Sequence, residues 1–504
     1  MTENYLDILA DTIRNNWDKP ALTDFYLTED GKAQDTSRGN HYTYGEMYAE
    51  IVRVADFLTN LGLQKGDHIA ICDANSAHWV IAYLAIAKMQ GVSVTVMHSL
   101  MEEDIARLVD FSDAKALFVD GELWEELKDQ SMPQIKSVIA IDDWGVLQGK
   151  KISISNLQSP ISNQDCQFPH PEPDNLAMIC FTSGTTGGAK GVSLSYQNMD
   201  KSVDDAIEIF SYSDSGRVLS LFPFGHMLGI HFELLFQLCF GKTVFLFRDV
   251  RTIDNLFYAY KIVRPYAITT PPAMVKSIVD KYQCEFIKIL RECAYILIGG
   301  ALIPKELMRL FSKYHLKYAI GYGTTECGPF ISKPVFSEKM SESVGKFFNP
   351  AHCRIALNGE ILVKGENVML GYYKDPEATA AKIDAEGWLH TGDKGHLDED
   401  GYLYVEGRLE QDIIVLPNGE NIRPDNIERL IDALPEVKES IVLARDGKLV
   451  AIVVSQITNA DLKLNILHQI NPLLPLYSQL DEVEISNVPL VRTSKQTLKR
   501  YLYK

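Results

Sequence analysis

The sequence of 504 residues lacks the features that mark membrane and secreted proteins. No run approaches the ~18 consecutive apolar residues of a membrane span, and residues 1–5 have neither the basic start nor the apolar core of a signal peptide. The eight cysteines include no Cys-x-x-Cys pair and no Cys/His group at zinc spacing. We therefore predict reduced cysteines in or near the core, and a cytoplasmic protein without a transmembrane segment.

Positive charge is scarce as well. The chain has 49 Lys and Arg residues against 67 Asp and Glu residues, which gives a formal net charge of -18. This balance argues against a nucleic-acid partner and against a general affinity for anionic membranes, so a polyphosphate would have to bind in a local basic pocket. The length exceeds the roughly 250 to 300 residues at which single cores stop growing, and more than one domain is expected.

Hydrophobic periodicity alternates between helical and strand patterns. Residues 43–61 begin with Thr43-x-x-Glu46, the spacing of a capping box, and continue with apolar residues at helical spacing before Gly62. A second helical pattern covers residues 76–89. Short apolar runs typical of buried strands lie at residues 68–72, 116–119, 137–141, 176–180, 243–247, 267–270 and 295–298. The alternation predicts parallel βαβ units and an α/β fold.

A stretch rich in glycine and hydroxyl residues, residues 181–192, follows a polar segment at 155–174 that predicts a surface connection. Glycines let a backbone aim N–H groups at an anion, hydroxyls add donors, and Lys190 adds a positive charge. The ending Ala189-Lys190-Gly191 differs from a Walker A loop. Taken alone, the stretch fits a phosphate-binding loop or a surface turn. Its candidate phosphate ligands are Thr182, Ser183, Gly184, Thr185, Thr186, Gly187 and Lys190.

This stretch resembles the phosphate loop of the adenylate-forming superfamily, which includes acyl- and aryl-CoA synthetases, peptide-synthetase adenylation domains and beetle luciferases. Ala189 stands where proline is usual, which reduces backbone rigidity but removes no phosphate-binding group. The resemblance implies a large N-terminal α/β domain, residues 1–408, with acyl and ATP sites. It also implies a small mobile C-terminal α+β domain, residues 409–504.

A second motif, residues 319–326, is similar to the nucleotide motif of that superfamily. By the resemblance, the ring of Tyr322 stacks on adenine, and Gly323, Thr324 and Thr325 belong to the same nucleotide site. Glu326 is implied as a catalytic residue and Mg²⁺ ligand, together with the hydroxyl of Thr182. Taken alone, the motif fits a capped helix start equally well.

Two further stretches carry candidate site residues. The run Gly299-Gly300-Ala301 after a strand permits close approach of a flat ring such as adenine, and tight strand-to-helix packing explains it equally well. His226 is by itself more typical of a packed histidine. The resemblance places His226 in the segment that borders the acyl pocket and the thiol entry, and so among the catalytic candidates.

The ribose motif is represented by residues 387–393 and 402–408. Turn glycines predict an exposed loop for Asp393, where its carboxylate can accept hydrogen bonds from both ribose hydroxyls, and Arg408 can hold ribose or phosphate oxygens. A solvated Asp and a solvated Arg are the alternative. The resemblance assigns both residues as nucleotide contacts.

The end of the chain departs from the superfamily. By the resemblance, residues 415–424 form the hairpin that acts in thioester formation, and Asp412 is the candidate hinge. With Thr493 and Arg500 kept in register, Thr497 occupies the position of the usual catalytic lysine. We predict that Lys495 supplies the missing charge, with Lys499 and a solvated basic tail as alternatives.

Residues 416–419 and 499–503 are similar to those of bacterial long-chain fatty acyl-CoA ligases, and the resemblance therefore implies an enzyme of that kind. A carboxylic acid would react with ATP and Mg²⁺ to give acyl-AMP and pyrophosphate, and coenzyme A would then take the acyl group. One alternative is a ligase that loads an acyl carrier protein. The other is a non-catalytic nucleotide- or acyl-binding protein, which the altered C-terminus favours and which Lys190, Glu326, Asp393 and Arg408 oppose.

Overall fold

A computed structural model of the chain describes most of its length, and within the described residues it forms two compact units. The larger unit comprises Met1–His98, Glu102–Thr182 and Lys190–Gly407, and the smaller one consists mainly of Arg408–Lys504. The mobility of the smaller unit and the location of the substrate sites stay predictions. The described residues are 4–29, 31–35, 38–151, 154, 161–182, 189–210, 216–248, 252–300, 303–338, 342–409, 414–416, 421–445, 447–457, 460–490 and 502–503.

Most of the strands are short, as the apolar runs of four or five residues predict. In chain order they are β1 Pro20–Phe25, β2 His41–Thr43, β3 His68–Cys72, β4 Val92–Thr95, β5 Ala116–Val119, β6 Ser137–Ala140, β7 Val146–Gln148, β8 Leu176–Thr182, β9 Lys190–Ser195, β10 Arg217–Ser220, β11 Thr243–Phe247, β12 Ala267–Thr270, β13 Tyr295–Ile298, β14 Tyr318–Ile320, β15 Ser332–Lys333, β16 Lys346–Phe347, β17 Cys353–Ile355, β18 Glu360–Val363, β19 Gly371–Tyr372, β20 Leu389–Leu397, β21 Leu403–Arg408, β22 Ile414–Val415, β23 Asn421–Ile422, β24 Glu439–Arg445, β25 Lys448–Val454 and β26 Glu482–Ser486.

Helices separate most of the strands of the larger unit. They are α1 Tyr5–Asn15, α2 Tyr44–Asn60, α3 Ala77–Lys88, α4 Glu102–Phe111, α5 Gly121–Leu127, α6 Tyr196–Ile209, α7 Phe236–Cys239, α8 Ile253–Val263, α9 Pro272–Glu292, α10 Lys305–Lys313, α11 Pro376–Lys382, α12 Pro424–Asp432 and α13 Ala460–Ile470. A π-helix, Gly229–Leu235, runs directly into α7. Among the described residues, no helix has both the length and the hydrophobicity that crossing a bilayer requires.

The largest sheet of the unit has eight strands in the order β19-β9-β8-β4-β3-β5-β6-β7. Strands β3, β4, β5, β6 and β8 run parallel, and β9 returns antiparallel beside β8. Helices α3 and α4 connect parallel strands. The predicted βαβ units and the α/β fold class are therefore confirmed.

Local sequence signals account for the first helices. The hydroxyl of Thr43 accepts a hydrogen bond from the Glu46 N–H at 3.2 Å, and the Glu46 carboxylate accepts one from the Thr43 N–H at 2.8 Å. This is the predicted capping box. Gly62 follows the helix with a φ of +94°, the left-handed conformation that favours glycine after a helix end. Ser76 caps α3 through its hydroxyl, which accepts from the Trp79 N–H at 3.1 Å.

The larger unit also contains a three-stranded parallel sheet in the order β12-β13-β14. Its register pairs Thr270 with Ile298 and Ile298 with Ile320, so the three strands end at one edge. In parallel sheets, the loops after the carboxyl ends are the usual ligand-binding edge. The loops after β13 and β14 carry two of the predicted nucleotide stretches.

Two expectations about exposure were wrong in part. The connection at 155–174, so far as residues 161–174 are described, is not wholly a surface segment, because Cys166 and Phe168 are buried in the core. The Tyr48 hydroxyl also donates to the Gln167 carbonyl at 2.8 Å and holds the connection against α2. All eight cysteines are free thiols, but Cys284 is exposed rather than near the core.

The smaller unit has its own sheet and core. Strand β24 pairs antiparallel with β25, which pairs parallel with β26. Apolar residues of α12, α13 and the three strands form a separate hydrophobic cluster. Strands β22 and β23 pair antiparallel, which confirms the predicted hairpin at 415–424 so far as it is described. Its loop, 417–420, and the candidate hinge residue Asp412 lie outside the described residues.

Candidate functional site

The predicted phosphate loop connects two paired strands. Thr182, the last residue of β8, lies opposite Lys190, the first residue of β9, and pairing continues to Leu176 and Ser195. Both predicted ligands are therefore at the loop end of a hairpin anchored in the eight-stranded sheet. The loop residues Ser183, Gly184, Thr185, Thr186 and Gly187 lie outside the described residues.

The glycines after β13 leave room at the edge of the three-stranded sheet. The Gly299 N–H donates to the Thr270 carbonyl at 3.2 Å, and the Gly321 N–H donates to the Ile298 carbonyl at 2.8 Å. Among the described residues, a Cβ placed on Gly299 would meet one atom, the Gly321 carbonyl oxygen, at 3.6 Å. The described part of this edge therefore leaves space that a side chain would fill. Ala301 lies outside the described residues.

The motif after β14 turns so tightly that one glycine is indispensable. A Cβ on Gly323 would lie 1.5 Å from the Pro329 carbonyl oxygen, closer than any real contact. The Ile331 N–H also donates to the Tyr322 carbonyl at 3.0 Å and closes the turn. Thr324 precedes a 3₁₀ turn, Thr325–Cys327, which carries Glu326. No side chain caps this turn, so the capped helix start that the motif fits by itself is not formed, but the turn places Glu326.

Lys190 and Glu326 meet on one side chain, that of Tyr372. The Tyr372 hydroxyl donates to Glu326 Oε1 at 2.8 Å, and the Lys190 Nζ lies 4.8 Å from the centroid of the Tyr372 ring. Burial, with a smaller contribution from the charge of Glu326, raises the pKa of Cys180, on β8, to about 11. The structure therefore brings the predicted lysine and the predicted metal ligand together beside the hairpin β8–β9.

Asp393 does not lie in an exposed loop, so that expectation was wrong. It lies within β20 and is buried, with 6% of its surface exposed. The glycine beside it forms a bulge rather than a turn, because Gly392 has a φ of +78° and the register between β18 and β20 shifts there. Glu360 accepts the Gly392 N–H at 3.0 Å and fixes the bulge.

The buried Asp393 accepts a hydrogen bond from the other predicted nucleotide residue. The Tyr322 hydroxyl donates to Asp393 Oδ2 at 2.9 Å. Burial, and after it the charge of Asp393, raises the pKa of Tyr322 well above its ordinary value, so the phenol keeps its proton. The predicted adenine and ribose residues are therefore in direct contact.

His226 has a neutral imidazole and lies in a segment near β8 and β13. Burial lowers the pKa of His226 to about 4. Its Nδ1 accepts the Leu228 N–H at 3.2 Å, which places the ring proton on Nε2. The Cys180 thiol contacts the Gly225 carbonyl at 3.5 Å, and a Cβ on Gly300 would lie 3.4 Å from Leu228 Cδ1. The His226 segment thus lies between the end of β8 and the glycines after β13.

Two predicted site residues have no described side chain. Arg408 is described as the last residue of β21 without its side chain, and Lys495 lies outside the described residues. Sequence reasoning also missed Tyr372 and Glu360. Their partners are far away in the chain, and the pairing of β19 with β9 that positions Tyr372 has no local sequence signal.

The donor set fits a magnesium ion held jointly with phosphates better than a metal held by protein alone. Among the described residues, no group of three or more His, Cys, Asp or Glu could hold a metal ion. Glu326 Oε2 makes no hydrogen bond to a described residue, and Thr182 ends β8 opposite Lys190. Magnesium is commonly bound by one or two protein oxygens together with substrate phosphates and water.

The chain is similar to known enzymes over most of its length. The family described as AMP-binding enzyme matches residues 9–373. The chain is 27% identical over 432 residues to a 4-coumarate–CoA ligase of Vanilla planifolia, covering 80% of this chain and 76% of that protein. It is 27% identical over 463 residues to the putative acyl-CoA synthetase YngI of Bacillus subtilis (strain 168), covering 82% and 81%.

The fold is also similar to solved structures. A double mutant of o-succinylbenzoate CoA synthetase (MenE) from Bacillus subtilis superposes with a TM-score of 0.76 at 23% identity, covering 99% of this chain and 98% of that one. The predicted adenylate-forming fold is thereby confirmed.

Proposed function

The chain belongs to the AMP-binding enzyme family, and from that premise we propose that it is an acid–thiol ligase that uses ATP, Mg²⁺ and coenzyme A. In the first half-reaction, a carboxylate oxygen of the acid attacks the α-phosphorus of ATP. The bond to pyrophosphate breaks, and acyl-AMP forms. In the second, the thiolate sulfur of coenzyme A attacks the acyl carbon, and AMP leaves with the electrons of the C–O bond.

One observation carries the proposal: Lys190 and Glu326 contact opposite parts of Tyr372 beside the hairpin of the predicted phosphate loop. A positive charge and an oxygen ligand at one place suit a magnesium-bound polyphosphate. Lys190 forms no ion pair with another described residue, so its charge remains available to an anion. Placement and charge stabilisation are the main contributions that an enzyme makes to phosphoryl chemistry.

The remaining residues have supporting roles in the proposal. The cradle at Gly299 and Gly300 would accept the adenine ring, with Tyr322 beside it, and Asp393 would hold the ribose. Arg408 would hold ribose or phosphate oxygens. Neutral His226, between β8 and the glycines, would border the acyl group and the entering thiol. Magnesium, held by Glu326 and Thr182, would supply charge neutralisation at the phosphates.

We propose only the chemical class of the acid substrate. The sequence-based prediction is a fatty acid. The Vanilla planifolia relative is a 4-coumarate–CoA ligase, which makes an aryl acid the second candidate. Coenzyme A is preferred to an acyl carrier protein as acceptor because that relative is a CoA ligase as well. A cytoplasmic location agrees with the free thiols.

Pyrophosphate release from Mg·ATP tests the proposal. The protein is incubated with short, medium and long-chain fatty acids and with aryl acids such as 4-coumarate, each with and without coenzyme A. We expect release that depends on one acid class, and a thioester product only with coenzyme A. Release without thioester, restored by a carrier protein, would change the acceptor. No release with any acid would contradict the proposed ligase activity.

A further inference from the structure

Tyr372 is held rigidly by its backbone. It belongs to the short strand β19, which pairs antiparallel with β9 and sets Tyr372 opposite Val192. Its N–H donates to the Thr379 hydroxyl at 2.8 Å, and the next N–H, that of Tyr373, donates to the Gly191 carbonyl at 2.7 Å. Only 8% of the Tyr372 surface is exposed. A side chain fixed in this way can orient the groups that it contacts.

The hydroxyl of Tyr372 orients the carboxylate of Glu326. The hydrogen bond to Oε1 fixes the rotation of the carboxyl group and turns Oε2 away from Tyr372. The backbone of Glu326 is held by the same segment, since the Met369 N–H donates to the Glu326 carbonyl at 2.9 Å. Groups that orient a metal-binding side chain commonly change metal affinity 10- to 100-fold when they are removed.

The ring of Tyr372 orients Lys190. The ammonium lies over the ring face at 4.8 Å, where the ring quadrupole attracts a cation. Lys190 and Glu326 form no ion pair with each other, although both reach the same side chain. The carboxylate contacts the hydroxyl and the ammonium contacts the ring face, so Tyr372 holds the two charged groups through different parts of its side chain.

We propose that Tyr372 is a positioning residue of the nucleotide site, which orients the Glu326 carboxylate through its hydroxyl and the Lys190 ammonium through its ring face. The inference rests on the proposed function, because it assumes that Glu326 ligates the metal that accompanies ATP. It predicts separate effects for the two parts of the side chain. The hydroxyl governs the magnesium dependence, and the ring governs the affinity for the phosphates themselves.

The test measures ATP binding by calorimetry, without acid or coenzyme A, as a function of the Mg²⁺ concentration. In Tyr372→Phe we expect the Mg²⁺ concentration for half-maximal tightening to rise about 10-fold, with ATP binding in the absence of Mg²⁺ unchanged. In Tyr372→Leu we expect weaker ATP binding without Mg²⁺ as well, because Lys190 loses the ring. A purely structural role would not separate these two quantities.

Tyr373→Phe is the matched control. The Tyr373 hydroxyl donates to Asp113 Oδ2 at 2.8 Å, so the substitution removes a bond of the same kind and length from the adjacent residue, away from Glu326. We expect it to leave the magnesium dependence unchanged. An equal shift in Tyr373→Phe and Tyr372→Phe would overturn the inference, since the effect would then be a general loosening of β19.

Glu326→Gln separates failure of the inference from failure of the proposed site. If Glu326→Gln weakens the magnesium dependence but Tyr372→Phe does not, Tyr372 is not a positioning residue and the proposed site stands. If Glu326→Gln has no effect, Glu326 is not a ligand, and the inference fails with that part of the proposed function. In the double variant, Tyr372→Phe should add no further shift to Glu326→Gln, and additive shifts would contradict the orientation of Glu326 by Tyr372.

Discussion

The hydroxyl of Tyr322 donates a 2.9 Å hydrogen bond to Oδ2 of Asp393 and joins the turn after β14 to the bulge of β20. Because Asp393 is buried, loss of this donor should affect both folding and binding. We predict that Tyr322→Phe lowers the free energy of unfolding by about 2 kcal/mol, the usual contribution of a hydrogen bond to a charged group. It should also weaken ATP binding, because the Asp393 carboxylate loses its fixed orientation.

Urea denaturation and calorimetric titration with ATP measure the two effects. Tyr404→Phe is a suitable control, since the Tyr404 hydroxyl contacts Asp398 at 3.3 Å on the exposed surface. Its loss should change stability by less than about 0.5 kcal/mol. If Tyr322→Phe is as mild as Tyr404→Phe in both measurements, the bond between Tyr322 and Asp393 does not organise the site.

Two glycines of the site should respond in opposite ways to the same substitution. Gly323→Ala places a methyl group 1.5 Å from the Pro329 carbonyl oxygen, so the backbone must move. We predict a loss of about 3 kcal/mol or more in unfolding free energy. Among the described residues, the methyl group of Gly299→Ala meets one atom, at 3.6 Å, so the fold should keep its melting temperature. That methyl group would occupy the adenine cradle, and the KM for ATP should rise at least several-fold.

Thermal unfolding and ATP-dependent pyrophosphate release distinguish these outcomes. If Gly299→Ala preserves both the melting temperature and the KM for ATP, the adenine ring does not bind at this edge. The glycines after β13 would then serve only strand-to-helix packing.

The parts of the fold that the sequence predicts well are those set by local signals. Apolar runs bounded by polar residues determine β3, β5, β11, β12 and β13, and their bounds agree with the prediction. The capping box at Thr43 and Glu46 determines the start of α2. These features depend on neighbouring residues, so they can be recognised in a single sequence.

The site is less predictable, because its contacts join distant segments. The burial of Asp393 depends on a bulge at Gly392, and the same glycine in a sequence indicates a turn equally well. Tyr372 acquires its partners only when β19 pairs with β9. Sequence motifs therefore identified Lys190 and Glu326, whereas Tyr372, which contacts both, is identified only in the folded chain.

The buried carboxyl group of Glu233, in the π-helix Gly229–Leu235, predicts a specific pH dependence of stability. Glu233 Oε2 accepts hydrogen bonds from the Leu221 N–H, the Phe222 N–H and the Ser220 hydroxyl at 2.7, 2.8 and 3.1 Å. Burial raises its pKa from 4.5 to about 8 in spite of these donors. Between these values the folded state binds a proton that the unfolded state has lost. The contribution of Glu233 is therefore fully present below pH 4.5 and is lost as the pH rises toward 8.

The amide in Glu233→Gln does not titrate. The free energy of unfolding of this variant, relative to that of the native protein, should therefore increase with pH. We predict a relative gain of about 2 to 4 kcal/mol between pH 5 and pH 8, measured by urea denaturation at each pH. Glu122→Gln, at an exposed position, is the control and should show no comparable trend. A constant difference between Glu233→Gln and the native protein across this range would contradict a protonated Glu233 in the folded state.

One of the C-terminal lysines is predicted to supply the positive charge that the first half-reaction needs. Lys495 and Lys499 flank Thr497, which occupies the position of the usual catalytic lysine. If Lys495 replaces that lysine, Lys495→Ala should lower the rate of ATP–pyrophosphate exchange about 100-fold, as the loss of one stabilising group in a transition state does. Thioester formation from a synthetic acyl-adenylate and coenzyme A should be unchanged, because that step involves no pyrophosphate.

Lys499→Ala is the matched control on the same segment. A large loss of exchange in Lys499→Ala alone would assign the role to Lys499. Full exchange in both single variants and in the double variant would show that neither lysine acts, and that Lys190 with the metal supplies the charge by itself.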